Sequence, residues 1–358
     1  MLKKLYIILW VVVGSFLVGI VSFPFVFDTK LGKEIITGII GESDNGSLSP
    51  FNHRNYKVLV FNDGESAIPY IKANLDSAEK ELNSLFGYIP SEPLSIKIDS
   101  KKKGILTNVL DGEGEKTTEG FYLNNNIRIF AGDTFKDLLS SSTIYTSSFS
   151  HKLKHEYTHY YLDMYCKENG ISIDSIPQWF NEGLCEYIGN NNISSNDKIT
   201  FTPFNKLFST VDWKNSSVDA YYQGHLAVSK IVSLYGKDKI KNIILGCKNN
   251  DFNASFKKNT GVKIEGFQYG IERNCVSYFS SIQSYGKPNS DKNLEKIRVD
   301  CLEKYVTINP DSPDAYWDIG AYYHSNKNIP KAIKVVEEGL KYNPHSKRLE
   351  VLQSQLTN

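Results

Sequence analysis

A chain of 358 residues with 41 Lys and Arg against 40 Asp and Glu has a formal charge of +1, so it offers no basic surface to a nucleic acid and no strong attraction to anionic surfaces. Its length allows one or two packed domains, and 22 Tyr with 19 Phe supply apolar area that excludes a disordered chain. Five scattered cysteines (Cys166, Cys185, Cys247, Cys275 and Cys301), with no CxxC pair, exclude a disulfide framework and leave room for at most one or two bridges.

In chain order, Lys3 and Lys4 precede an uncharged and almost wholly apolar stretch, Leu5 to Phe27, long enough to cross a bilayer as a helix. Two readings stay open for it. One is an uncleaved anchor; the other is a signal peptide, for which Val21-Ser22-Phe23-Pro24-Phe25 makes a poor cleavage site. Both export the body, and the positive-inside rule keeps the N-terminus in the cytoplasm. The expectation is a single-pass protein of the cell membrane, held by residues 1–27, with everything after Phe27 extracytoplasmic.

Residues 28–55, with Gly41-Glu42-Ser43-Asp44-Asn45-Gly46-Ser47, read as a stalk or linker. Lys57 to Phe61 reads as a strand, and Ser66 to Phe86 as an amphipathic helix with Ile68, Ile71, Leu75, Ala78, Leu82 and Leu85 on one face. Leu94 to Ile98 alternates as a half-buried strand, and Gly120-Phe121-Tyr122 with Ile127-Arg128-Ile129-Phe130 reads as a hairpin. The pattern thereafter is mostly helical. Strands first and helices afterwards predict an α+β fold, with a main domain over 56–288 and a helical module over 289–358.

His155-Glu156-Tyr157-Thr158-His159 lies in a run, Ser147 to Lys167, free of Gly and Pro, with Asn169-Gly170 as a stop. Imidazoles four residues apart share one helix face and can reach one metal ion. Glu156, about 100° round the helix, is placed to hold water rather than to ligate. A second helix follows from Pro177, carrying Trp179, Asn181, Glu182, Gly183, Cys185 and Glu186 and ending at Gly189-Asn190. Catalytic zinc takes three protein ligands, and the 22 residues between His159 and Glu182 leave room for a turn that presents this carboxylate.

HExxH followed by Trp-x-x-Glu-Gly resembles the gluzincin metallopeptidases, most closely the bacterial peptidase MA-like group. The resemblance plausibly covers residues 57 to about 250, its specific motifs lying in 151–189. It implies a zincin-type catalytic half, one zinc ion per chain on His155, His159 and Glu182, and Glu156 as catalytic base. Glu186 matches a carboxylate that this class hydrogen-bonds to a ligand histidine, although Asp163 could serve instead. Cys185 reads as a small buried residue rather than a ligand, and His151 as a rim or surface residue. For the oxyanion that forms in peptide hydrolysis, Tyr221 is the first candidate donor and His225 the second; a structural aromatic is the competing role for Tyr221.

Pro313 to His345, with Ala315, Gly320, Ala332 and Gly339, resembles one tetratricopeptide repeat. Asn309-Pro310 and Asn343-Pro344 recur at its 34-residue period, and Leu294 to Thr307 reads as half of a preceding repeat. One and a half repeats cannot bury a core alone, so the module packs on the body or on a partner. It serves either as a helical cap or as a site for a protein partner. The function expected from all these features is a membrane-anchored, extracytoplasmic zinc peptidase acting on peptides or proteins. Two alternatives stay beside it: a non-catalytic zinc- or partner-binding protein on a peptidase scaffold, and a zinc hydrolase of non-peptide substrates.

Overall fold

Period-two alternation of β-branched residues builds the sheet. Val58 and Val60 in β2 (Tyr56–Phe61), Ile96 and Ile98 in β3 (Leu94–Asp99), and Ile127 and Ile129 in β5 (Asn126–Phe130) are all buried. The computed structural model describes residues 48–99, 120–131, 138–139, 148–189, 199–217, 219–274 and 292–357. Five strands run in the order β1-β2-β3-β5-β4, with β1 (Leu48–His53) and β4 (Gly120–Leu123) antiparallel to their neighbours and the three central strands parallel. The β4–β5 turn places Asn124 and Asn125 at φ 48° and 59°, the positive pair that two-residue hairpins demand and that Asn tolerates.

Helix α1 (Ile68–Phe86) crosses from β2 to β3, burying Ile71, Leu75, Ala78, Leu82 and Leu85 at helical spacing. It stops at Gly87, whose φ of 65° suits a left-handed cap. Helix α2 (Phe149–Glu168) packs between α1 and the β4–β5 edge, and α3 (Gln178–Gly189) packs on α2. After α4 (Thr210–Lys214), helix α5 (Asp219–Tyr235) crosses α3 where two glycines meet: a Cβ on Gly183 would stand 2.4 Å from the Gly224 carbonyl oxygen. Helices α6 (Asp238–Gly246), α7 (Phe252–Thr260) and α8 (Ile264–Asn274) complete this half. The fold is α+β, mostly helical, with one small sheet in its N-terminal part.

Helices α9 (Lys292–Ile308), α10 (Pro313–Ser325), α11 (Ile329–Tyr342) and α12 (Lys347–Thr357) form the C-terminal module. It packs on the body. Leu294, Val299, Leu302, Ala315 and Ile319 join the main core, whereas Tyr316, Ala332, Val336, Leu349, Leu352 and Leu356 form a small core of their own. Buried Arg298 ties the two together, donating to the Leu139 carbonyl at 2.6 Å and to Asp318 at 3.2 Å.

Two sequence expectations change. Leu48–His53, read as the end of a linker, is a strand paired along its length with β2. The four described cysteines, Cys166, Cys185, Cys247 and Cys301, are buried free thiols, within the expected ceiling of one or two bridges. The single-pass membrane placement is overturned, because no helix among the described residues is long and apolar enough to cross a membrane. The two helices of sufficient length, α1 and α2, carry five and six Asp, Glu, Lys or Arg residues. The segment behind that placement, Leu5 to Phe27, lies outside the described residues, as do residues 28–47.

Candidate metal centre

Helix α2 starts at Ser148, whose hydroxyl accepts the His151 N–H at 3.2 Å, and runs without a break to Asn169. Because it is unbroken, His151, His155 and His159 stack one turn apart on one face, with ring centroids 5.7 and 5.0 Å apart. Helix α3 is equally constrained. The Pro177 carbonyl accepts the Asn181 N–H at 3.0 Å, and the Gln178 and Trp179 N–H groups donate to the carbonyls of Phe208 and Leu207. Trp179 is buried and stacks on Phe204 at 4.1 Å. These anchors turn Glu182 and Glu186 towards the histidine face of α2.

The contacts divide by ring nitrogen. Glu182 Oε2 lies 3.2 Å from His155 Nε2 and 3.5 Å from His159 Nε2. The Nδ1 atoms face other groups: Glu186 Oε1 is 3.1 Å from that of His155, while Asn181 Oδ1 at 3.2 Å and Cys185 Sγ at 3.3 Å address that of His159. Both Nε2 atoms are thereby directed at one carboxylate oxygen. Gln178 Nε2 holds the other oxygen of Glu182 at 2.9 Å. Glu186 Oε2 reaches His151 Nε2 at 3.0 Å.

Burial works against charge here, and the partners overcome it. Desolvation opposes protonation of His155 and His159, yet Glu182, with Glu186 for His155, raises both pKa values. Desolvation likewise opposes ionisation of Glu182 and Glu186, but the histidines hold both carboxyls below their usual range. Glu156 differs. Burial, with Glu182 adding to it, raises its pKa against the pull of His155 and His159, the direction a general base requires. Its carboxylate lies against Gly120 of β4, where a Cβ would stand 3.1 Å from Glu156 Oε1. Cys185 stays a thiol, because burial and the neighbouring carboxylates push its pKa up.

These donors suit a cation. Among the described residues, two groups of three bring possible ligand atoms within 4.8 Å of one another, His155–His159–Cys185 and His151–His155–Glu186. Glu182, the third ligand expected from sequence, belongs to neither group, although its Oε2 lies 3.2 and 3.5 Å from the two Nε2 atoms.

The remaining candidates separate. Tyr221, in the first turn of α5, brings its ring within 6.4 Å of His155 and is wedged by Trp213 at 4.9 Å. Burial keeps it a neutral phenol able to donate. His225 is buried edge-on to Tyr187 at 6.5 Å. Asp163 accepts from the Tyr122 hydroxyl at 2.7 Å, so Glu186 is the carboxylate beside a motif histidine. Cys185 is buried as expected. His151 corrects the sequence reading: it lies in the interior on Glu186, since the turn before the motif faces α3 and not solvent. Asn181 and Gln178 were missed as well. Their signals were their positions, one residue and one turn before Glu182.

No protein-family model matches the chain. Over 258 residues it is 26% identical to the uncharacterized protein YhcO of Bacillus subtilis (strain 168), across 69% of this chain and 78% of that protein. The likeness brings no activity with it.

Proposed function

We propose that this protein is a zinc-dependent peptidase of the gluzincin type, with one zinc on His155, His159 and Glu182 and with Glu156 as general base. One observation carries the reading: Glu182 Oε2 lies 3.2 and 3.5 Å from the Nε2 atoms of the two motif histidines. The zincin-type arrangement of the helical half belongs to the same proposal. So does the likeness of residues 313–345 to a tetratricopeptide repeat, supported by a close crossing: a Cβ on Gly339 would stand 2.7 Å from the Tyr316 ring.

A bound zinc ion would supply Lewis acidity, lowering the pKa of water towards neutrality. Glu156 takes the proton from the attacking water and returns it to the departing amine. The Tyr221 hydroxyl donates to the oxyanion that develops on the carbonyl. Among the described residues β4 is the last strand of the sheet, and Gly120 keeps side-chain bulk away from Glu156. An extended peptide pairing with that edge lies beside the base.

The test is digestion of a peptide library by the zinc-loaded protein and by Glu156→Gln. The variant should retain zinc and lose about 10²–10⁴-fold in turnover. A wild type that holds zinc and cleaves nothing, or a variant that cleaves at the same rate, would defeat the proposal.

A further inference from the structure

His151 has no task in the chemistry above, yet it is one of the most constrained side chains of the cluster. It is buried, and its Nε2 lies 3.0 Å from Glu186 Oε2, while the other oxygen of that carboxylate is 3.1 Å from His155 Nδ1. One carboxylate thus spans two imidazoles a helical turn apart. Helix α3 makes room for the arrangement. A Cβ on Gly189 would stand 2.6 Å from His151 Cδ2, 3.1 Å from its Nε2 and 3.2 Å from its carbonyl oxygen. The arrangement also carries a cost, since His151 Nδ1 is buried without a hydrogen-bond partner among the described residues, and so is His155 Nδ1 in spite of the nearby Glu186 oxygen. A leucine would fill the same space without that cost, so packing alone does not account for the imidazole.

We infer that His151 is a positioning residue for the metal, acting through Glu186 on His155. A carboxylate held at one oxygen can turn about its Cγ–Cδ bond. Held at both, it has a fixed plane, and Oε1 stays aimed at His155 Nδ1. The carboxylate oxygen held 3.1 Å from Nδ1 favours the ring proton on that nitrogen, which leaves the Nε2 lone pair for the cation. His151 donates its Nε2–H to Oε2, and Gly189 is the vacancy that lets it reach. The inference rests on the zinc reading above. It extends the support of a ligand histidine one residue further from the ion.

The measurement is the rate of zinc release into excess chelator, well below the unfolding temperature, from the full chain and its His151→Leu, His151→Gln and Gly189→Ala variants. His151→Leu keeps the packing volume and should release zinc about 10–100-fold faster, the usual effect of removing such support. His151→Gln restores an N–H within reach of Glu186 and should recover most of the loss. Gly189→Ala touches no metal donor and should move release in the same direction as His151→Leu. A purely structural role would lower the melting temperature of the chelator-treated protein and leave zinc release unchanged, and that result overturns the inference alone. A wild type that takes up no zinc overturns the zinc reading and this inference together.

Discussion

The two faces of α2 are both buried and both polar, but they are satisfied in opposite ways. On one, Tyr157, Tyr160 and Tyr161 turn into the body. Tyr157 shares a 2.7 Å hydrogen bond with the Tyr56 hydroxyl, Tyr160 donates to the Glu92 carbonyl at 2.6 Å, and Tyr161 donates to the Tyr88 carbonyl. Burial raises the pKa of all three, so these phenols stay neutral and their bonds keep one arrangement. On the other face, three histidines meet two carboxylates through four contacts between groups that can exchange protons for a cation. One face holds the helix still; the other uses that stillness. A buried polar cluster that stays ionisable is costly to maintain, and this contrast makes the His/Glu face the candidate for function.

Substitutions should separate the faces. On the functional side, Tyr221→Phe removes a donor near His155 and should lower turnover about 10²–10³-fold at unchanged zinc content, read from steady-state kinetics beside metal analysis. On the structural side, Tyr157→Phe deprives Tyr56 and Glu79 of a partner. It should cost about 1–3 kcal/mol in denaturant unfolding and leave zinc affinity as it was. If Tyr157→Phe weakened zinc as much as stability, the division between the faces would not hold.

The smallest effect is a pH dependence of the chelator-treated protein. The raised pKa of His155 contributes stability in full below its unfolded value of about 6.5, and the contribution is lost as pH climbs through the folded pKa. The lowered pKa of Glu182 contributes above its unfolded value of about 4.3 and is lost as pH falls through the folded pKa. Both contributions are complete only between about pH 4.3 and 6.5, so melting curves of the metal-free protein should show this cluster's stabilisation there and its decline on either side. With zinc present, the histidines must release protons to ligate, and affinity should rise with pH.

Much of this was legible in the residues. The Asn-rich turn announced the β4–β5 hairpin, Gly-free spacing announced α1 and α2, and HExxH with Glu182 announced which helix faces meet. Three features were not. Leu48–His53 contains Pro50 and follows a Gly- and Ser-containing stretch, so its propensities resemble a linker; only pairing with β2 makes it a strand. His151 read as a surface residue because a helix with two polar faces gives no apolar stripe to show which turns are buried. Gly189 read as a helix stop, and α3 does end there, but nothing in the local sequence showed that its missing Cβ also seats His151. Tertiary contact decided each of these, and local sequence does not encode it.

The central claim is that Glu182 completes a metal site with His155 and His159. The most direct test is zinc per chain and zinc affinity of the purified protein after metal reconstitution, beside Glu182→Gln. The account predicts one zinc per chain in the wild type and a clear loss in the variant, with Tyr157→Phe unchanged. A wild type without zinc, or a Glu182→Gln variant that holds it as tightly, would contradict it.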